Sequence, residues 1–190
     1  MERINAVTFA PFCARGTFEK EETRQSLKLM KEKTGANYVI FAPNGMQKTA
    51  FSEEIDYRTD RNVTDEELIA MIGYAKELGL NVALKPTANC EDGTWRAHIN
   101  FFDEDVVCEP KWGNWFASYR AFQEHYAGLA QQCGVDLFIA GCEMVQTERR
   151  EAEWREVIAA IRRKYDGLVS YNTDKYQDCL LYTSPSPRDS

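Results

Sequence analysis

The feature that most constrains this chain is an alternation. Four times over, a short apolar run gives way to an amphipathic stretch closed by glycine, and a fifth apolar run follows. Residues 4–9 (INAVTF) form the first run, closed by Pro11. Residues 23–34 carry Leu27 and Met30 at helical spacing, with Gly35 as the C-terminal stop. Residues 38–42 (YVIFA) run into Pro43. Thr64-Asp65-Glu66-Glu67 is a capping box, and the helix it opens places Leu68, Ile69, Ile72, Ala75 and Leu78 on one face before Gly79. Residues 82–85 (VALK) run into Pro86. A loop of about 25 residues follows, long enough to suggest function. Residues 112–132 put Phe116, Tyr119, Phe122, Tyr126 and Leu129 on a buried stripe, with Gly134 after them. Residues 135–140 (VDLFIA), a helix over 151–164 with Trp154, Val157, Ile158 and Ile161 inward, Gly167, and residues 168–171 complete the series.

Strands apolar through their length, separated by helices, predict a parallel sheet with its faces covered. A doubly wound sheet and a (β/α)8 barrel both fit that order. No Gly-x-Gly-x-x-Gly or Walker loop follows any strand, whereas polar and aromatic residues gather after nearly every strand end: Pro11-Phe12, residues 44–47, residues 87–96, Glu143 and Tyr171-Asn172. Loops at that end build the active site of a barrel. The expectation is therefore an α/β chain forming an incomplete (β/α)8 TIM barrel, five strands with four helices. Such a barrel takes about 250 residues and eight strands, and this chain has 190 residues.

Composition narrows the function. Thirty acidic against 23 basic residues give a net charge of −7, which repels phosphate backbones and disfavours nucleic acid as a partner. The longest apolar runs are strand-length, so no membrane partner is expected, and residues 1–5 lack an apolar signal region, which suggests a cytoplasmic location. Six cysteines without a C-x-x-C pair and two histidines, His98 and His125, suggest reduced thiols and no metal site. His125 falls within a helix and reads as structural. Asn62-Val63-Thr64 fits a glycosylation sequon, but its Thr is better used as the helix cap. At Cys179 the character changes completely: residues 179–190 read CLLYTSPSPRDS, with a Ser-Pro-Ser-Pro breaker cluster. That string resembles a translated sequencing adapter. It divides the chain into 1–178, the N-terminal part of a barrel, and an artefactual disordered tail.

Glu143 is the first candidate for chemistry. It directly follows an apolar strand, so its carboxylate would project into the barrel mouth, where general acid work is done. The competing reading pairs it with a neighbour such as Arg149 or Arg155.

Taken together, ELGLNVALKP, GTWRAHINF, W-x-x-WF-x-SY, FIAGCEM, WREVIAAIRRKYDG and VSYNTDKY resemble glycoside hydrolase family 113 and its relatives among the clan A β-mannanases and xylanases. The resemblance covers essentially all of residues 1–178. It implies a retaining glycosidase acting on a β-1,4-linked hemicellulose, mannan or xylan, as its polysaccharide or oligosaccharide partner, with no cofactor. The clan's acid/base glutamate follows the fourth strand, which implies that Glu143 protonates the departing oxygen and later activates water. Cys142 stands where the clan usually has Asn, and Thr87 where related chains read His. The clan's nucleophile follows a seventh strand, so by this reading it is missing and the fragment is inactive.

The implied substrate-binding residues are Lys85, Asn89, Trp95, Arg96, Tyr171 and Asn172. Asn89 reads equally as a loop cap, and Trp95 as loop packing or as a platform for a pyranose face. Trp112 and Trp115 read as packing at a helix entry. A noncatalytic sugar-binding or scaffold protein with a degenerate barrel remains the alternative. In either case the first and fifth strands would be open edges, so the fragment is expected to self-associate.

Overall fold

The computed structural model describes residues 3–174. The expected tail at 179–190 lies outside the described residues. The elements in chain order are β1 (Ala6–Thr8), α1 (Glu21–Thr34), β2 (Tyr38–Phe41), β3 (Asn44–Gln47), α2 (Asp65–Glu77), β4 (Asn81–Leu84), β5 (Thr87–Cys90), α3 (Trp112–Cys133), β6 (Leu137–Cys142), α4 (Glu151–Lys164) and β7 (Leu168–Asn172). Single 3-10 turns occupy Arg96–His98 and Thr147–Arg149.

The main sheet is parallel throughout, in the order β1-β2-β4-β6-β7. Each strand therefore pairs with the next one supplied by the chain. A doubly wound sheet must reverse its order at a switch point, and none occurs here. With right-handed crossovers, a monotonic order places every helix on one face. That is the arrangement of a barrel wall, and the truncated barrel expected from the sequence is what forms.

The four helices stand close to where periodicity put them. Thr64 Oγ1 accepts from Glu67 N at 3.2 Å while Glu67 Oε2 accepts from Thr64 N at 2.8 Å, completing the capping box. Glu67 is 4% exposed, and its other oxygen accepts from Gly16 N at 2.7 Å, which ties the loop after β1 to α2. Gly35 and Gly134 end α1 and α3 with φ of 63° and 59°, a backbone that costs other residues about 1 kcal/mol or more.

The core lies between the sheet and the helices. Val39, Phe41, Val82, Leu84, Phe138 and Ala140 form one buried cluster with Leu27 of α1, Leu68, Met71 and Ile72 of α2, the aromatic stripe of α3 and the inward side of α4. Trp115 stacks on Tyr119 with ring centres 4.9 Å apart, and Tyr119 meets Trp154 edge-on at 5.4 Å. Trp112 and Trp115 are both buried, as expected of helix-entry packing. His125 on α3 bonds Asp65, the first residue of α2, at 2.9 Å and lies against Tyr57 and Tyr126, so it joins two helices. Asn62 is 1% exposed, with its amide donating to Asn44 O, so it cannot carry a glycan without unfolding its loop.

The main sheet has the five strands expected, and two further segments pair beyond it. Residues 44–47 and 87–90, expected to be loops, are β3 and β5, a separate two-stranded parallel ribbon. Phe41 pairs with Leu84 and Asn44 with Thr87, so the offset of 43 residues is the same on both sides of the break. That offset sets Pro43 opposite Pro86. The ladder continues past them through Lys85 N to Phe41 O at 2.8 Å and Thr87 N to Pro43 O at 3.0 Å. Pro43 has no N–H for the intervening rung to Lys85 O, and Thr87 donates its own hydroxyl to that carbonyl at 3.0 Å. The ribbon is thus β2 and β4 continued beyond a matched pair of prolines.

Because the offset is unbroken, side chains alternate through the prolines without changing face. Gly45, Gln47, Ala88 and Cys90 continue the helix-facing side, where Gln47 accepts from Trp115 Nε1 at 3.0 Å. Lys85, Thr87, Asn89 and Glu91 share the inner face with Asn44, Met46 and Lys48. No helix among the described residues is long and apolar enough to cross a membrane.

Candidate active site

The site is built at the carboxyl end of β6. Between Ile139 and Cys142 the pairing of β6 with β7 slips by one residue, a β-bulge. Ile139 pairs with Ser170, but Cys142 pairs with Asn172, so the extra residue turns Cys142 to the inner face. Burial pushes the Cys142 thiol up, with Lys85 and Arg96 pulling it down and Glu143 adding to the rise. Those groups surround it. Glu143 follows with φ of 54°, in the left-handed region that a non-glycine residue enters only when its surroundings hold it there. Its N–H donates to Asn172 O at 2.8 Å, and Met144 N donates to the Tyr171 hydroxyl at 3.0 Å.

Gly141 makes this bend possible through close approach. A Cβ there would lie 2.6 Å from the Tyr171 ring and 2.9 Å from the Trp154 ring. Strand, bulge and kink together aim the Glu143 carboxylate across the inner face toward the ribbon.

Arg96 meets it there. Nη1 donates to Glu143 Oε2 at 2.7 Å, Nη2 to Asn89 Oδ1 at 2.6 Å, and Nε to Ala88 O at 3.0 Å. The Arg96 side chain is 11% exposed and that of Glu143 is 32%, so the pair is partly withdrawn from water. A charge-assisted bond of this kind is about twice as strong as a neutral one. Trp95 Nε1 donates to the same Oε2 at 3.2 Å, with its ring 44% exposed and edge-on to His98. Asn89 passes the network on by donating to Asn44 Oδ1. Lys85 Nζ donates to Asn172 Oδ1 at 3.3 Å on the other side of the site.

The structure thus joins Glu143, Trp95, Arg96 and Asn89 in one hydrogen-bonded group and sets Lys85 and Asn172 beside it. Tyr171 is placed differently. Its hydroxyl is taken by Met144 N and Glu148, and its ring lies edge-on to Trp154 at 5.5 Å, behind the Glu143 loop. The partner of Glu143 is neither Arg149, which bonds Asp103 and Asn100, nor Arg155, which bonds Glu151. Asn44 escaped sequence reasoning as a site residue; its place opposite Thr87 follows only from the register. Phe12, at φ of 59° and 41% exposed, lies under the Arg96 guanidinium at 5.6 Å. Its position after the first strand end was the only signal available. Among the described residues, no group of three or more His, Cys, Asp or Glu side chains is placed to hold a metal ion.

A parallel barrel wall with an arginine-held carboxylate at a strand's carboxyl end is where an enzyme of this fold class carries its chemistry. The sequence profile of glycoside hydrolase family 113 matches residues 7–182, and the chain belongs to that family. A solved β-1,4-mannanase of the family is similar at 53% identity over 94% of this chain and 58% of its own, with a TM-score of 0.92. The family's β-mannanase from Alicyclobacillus acidocaldarius, solved in complex with ManMIm, is 40% identical over 90% of this chain and 55% of its own, with a TM-score of 0.84. The endo-1,4-β-mannanase of Rhizomucor miehei shares the fold alone, at 10% identity over 93% of this chain and 61% of its own, with a TM-score of 0.53. The chain therefore spans a little over half the length of the family structures it matches. No curated protein matches it.

Proposed function

We propose that the chain forms the acid/base half of a retaining β-mannanase active site, cleaving β-1,4-linked mannan. One observation carries this reading: Glu143 is held on the inner face by Arg96 and Trp95, both donating to Oε2. Among the described residues no donor takes Oε1. That oxygen is the one that delivers a proton to the departing glycosidic oxygen and later removes one from water. Mannan is preferred over xylan because the family structures similar at 53% and 40% identity are β-mannanases.

A retaining enzyme needs a second carboxyl about 5 Å from the first. We place that nucleophile outside the described residues, where the family resemblance puts it, after a seventh barrel strand. The 190-residue chain by itself is expected to bind oligosaccharide without turning it over. In a full-length protein carrying this sequence, Glu143→Gln should lower mannan hydrolysis by about 10²- to 10⁴-fold, the usual worth of general acid–base catalysis. An aryl mannoside with a good leaving group should lose much less in its first step. Unchanged hydrolysis of mannan by that variant would remove the assignment.

A further inference from the structure

A cleft of about 570 Å³ opens beside the site, lined in part by Met46, Lys48, Phe51, Glu91 and Glu109. We propose that it is a second saccharide-binding site, into which the inner face of the β3–β5 ribbon carries the chain past Glu143, with Phe51 as its stacking platform. The proposal rests on the carbohydrate reading given above.

Register makes the connection. Met46 pairs with Asn89, and Gln47 with Cys90, and the ladder continues with Glu91 N donating to Gln47 O at 2.8 Å. Asn44, Met46 and Lys48 on β3 and its extension therefore share one face with Asn89 and Glu91. The first members of that face bond the Arg96 group, and the last members line the cleft. Two residues of strand separate Asn89 from Glu91, about 7 Å at the usual rise. That is somewhat more than a single pyranose unit advances a β-1,4-linked chain.

Phe51 is 64% exposed, yet it is not loosely held. Its N–H donates to Thr49 Oγ1 at 3.2 Å, Ser52 N to Thr49 O at 3.1 Å, and Thr49 N to Ser52 Oγ at 3.0 Å. Buried Gln47, fixed by Trp115, donates to Thr49 O at 2.7 Å. A large apolar ring carried into water on a braced turn has its backbone already ordered for a ligand, so binding loses less freedom. It also borders a smaller hollow of about 220 Å³ beside Phe101 and Phe102.

The polar lining selects the ligand class. Glu53 is used up in the wall, where it accepts from Lys111 N and Asn114 Nδ2. Lys48, Glu54, Glu91 and Glu109 remain at the cleft, with Glu91 only 4.0 Å from exposed Arg61 in a weak pair. An excess of carboxylates repels phosphates and other anions. Carboxylates and an ammonium group around one aromatic ring suit a neutral polyhydroxyl chain that presents hydroxyl edges and an apolar face.

The test is calorimetric binding of manno-oligosaccharides of increasing length to the 190-residue chain, counted per chain. Ligands long enough to reach the cleft should bind about fivefold tighter than those confined to the Glu143 group. Phe51→Ala and Glu91→Gln should each abolish that gain while leaving the short ligands unchanged, and Phe51→Tyr should keep it. Equal binding of short and long ligands, a gain that survives Phe51→Ala, or no binding at all overturns the proposal. If cello-oligosaccharides show the length-dependent gain and manno-oligosaccharides do not, the mannan reading fails while the second site stands.

Discussion

Tyr171 shows how one residue holds the candidate catalytic carboxylate without touching it. Its ring fills the space that Gly141 leaves, and its hydroxyl accepts from Met144 N and donates to Glu148, which fixes the backbone on the far side of Glu143. Burial is the main cause lifting the Glu148 carboxyl above its usual range; the Tyr171 hydroxyl pulls it down and Asp174 adds to the rise. Raised in the folded state, this group binds more protons folded than unfolded between its two pKa values. Stability is therefore lost as pH climbs from about 4.5 through the folded value. Glu148→Gln keeps an acceptor for Tyr171 and removes that penalty. Thermal melts of the two proteins should differ more in favour of the variant at pH 7 than at pH 4, and a pH-independent difference would contradict the account. Glu143 could be read from the sequence because an apolar strand ends just before it. Arg96 was recognised as a site residue, but its bond to a carboxylate 47 positions away depends on a fold that brings the two loops together, which no local pattern encodes.

At the scale of elements, the helices were legible because each carries a whole apolar stripe and a stop signal; α4 was expected over 151–164 and forms there. The ribbon was not. NGMQ and TANC are short, lack an apolar run, and each follows a proline, which reads as punctuation. What makes them strands is the neighbouring strand in the same register, and a pairing partner is invisible in either segment alone. The β6 bulge is likewise a property of two strands. It depends on Gly141, because a methyl there meets two rings inside contact distance. Gly141→Ala is expected to cost about 2–3 kcal/mol, in the range of overpacked cores. Chemical denaturation should reveal that loss, and a full-length enzyme should lose activity with it as Glu143 is displaced. A variant with unchanged stability would mean that the rings can move aside freely.

For the whole molecule, the decisive fact is an ordered sheet with two outer strands. Among the described residues β1 stands at one end of the sheet, paired with β2, and β7 at the other, paired with β6. Leu168 on β7 is 59% exposed as well. Unprotected parallel edges recruit other strands. The 190-residue chain should therefore elute in size-exclusion chromatography above its 21.8 kDa mass, increasingly so at higher concentration. A monomer at every concentration would show that these edges are masked. The matched prolines have a different consequence. Pro43 and Pro86 interrupt the sheet at one level without breaking its register, so the ribbon beyond them keeps its helix-facing side in the core and gives only its inner face to the site. Residues on its inner face, such as Met46, Asn89 and Glu91, can then be exchanged with little effect on folding. A lineage could retune which sugar it grips at little cost in stability, because the two properties are written on opposite faces of the same ribbon.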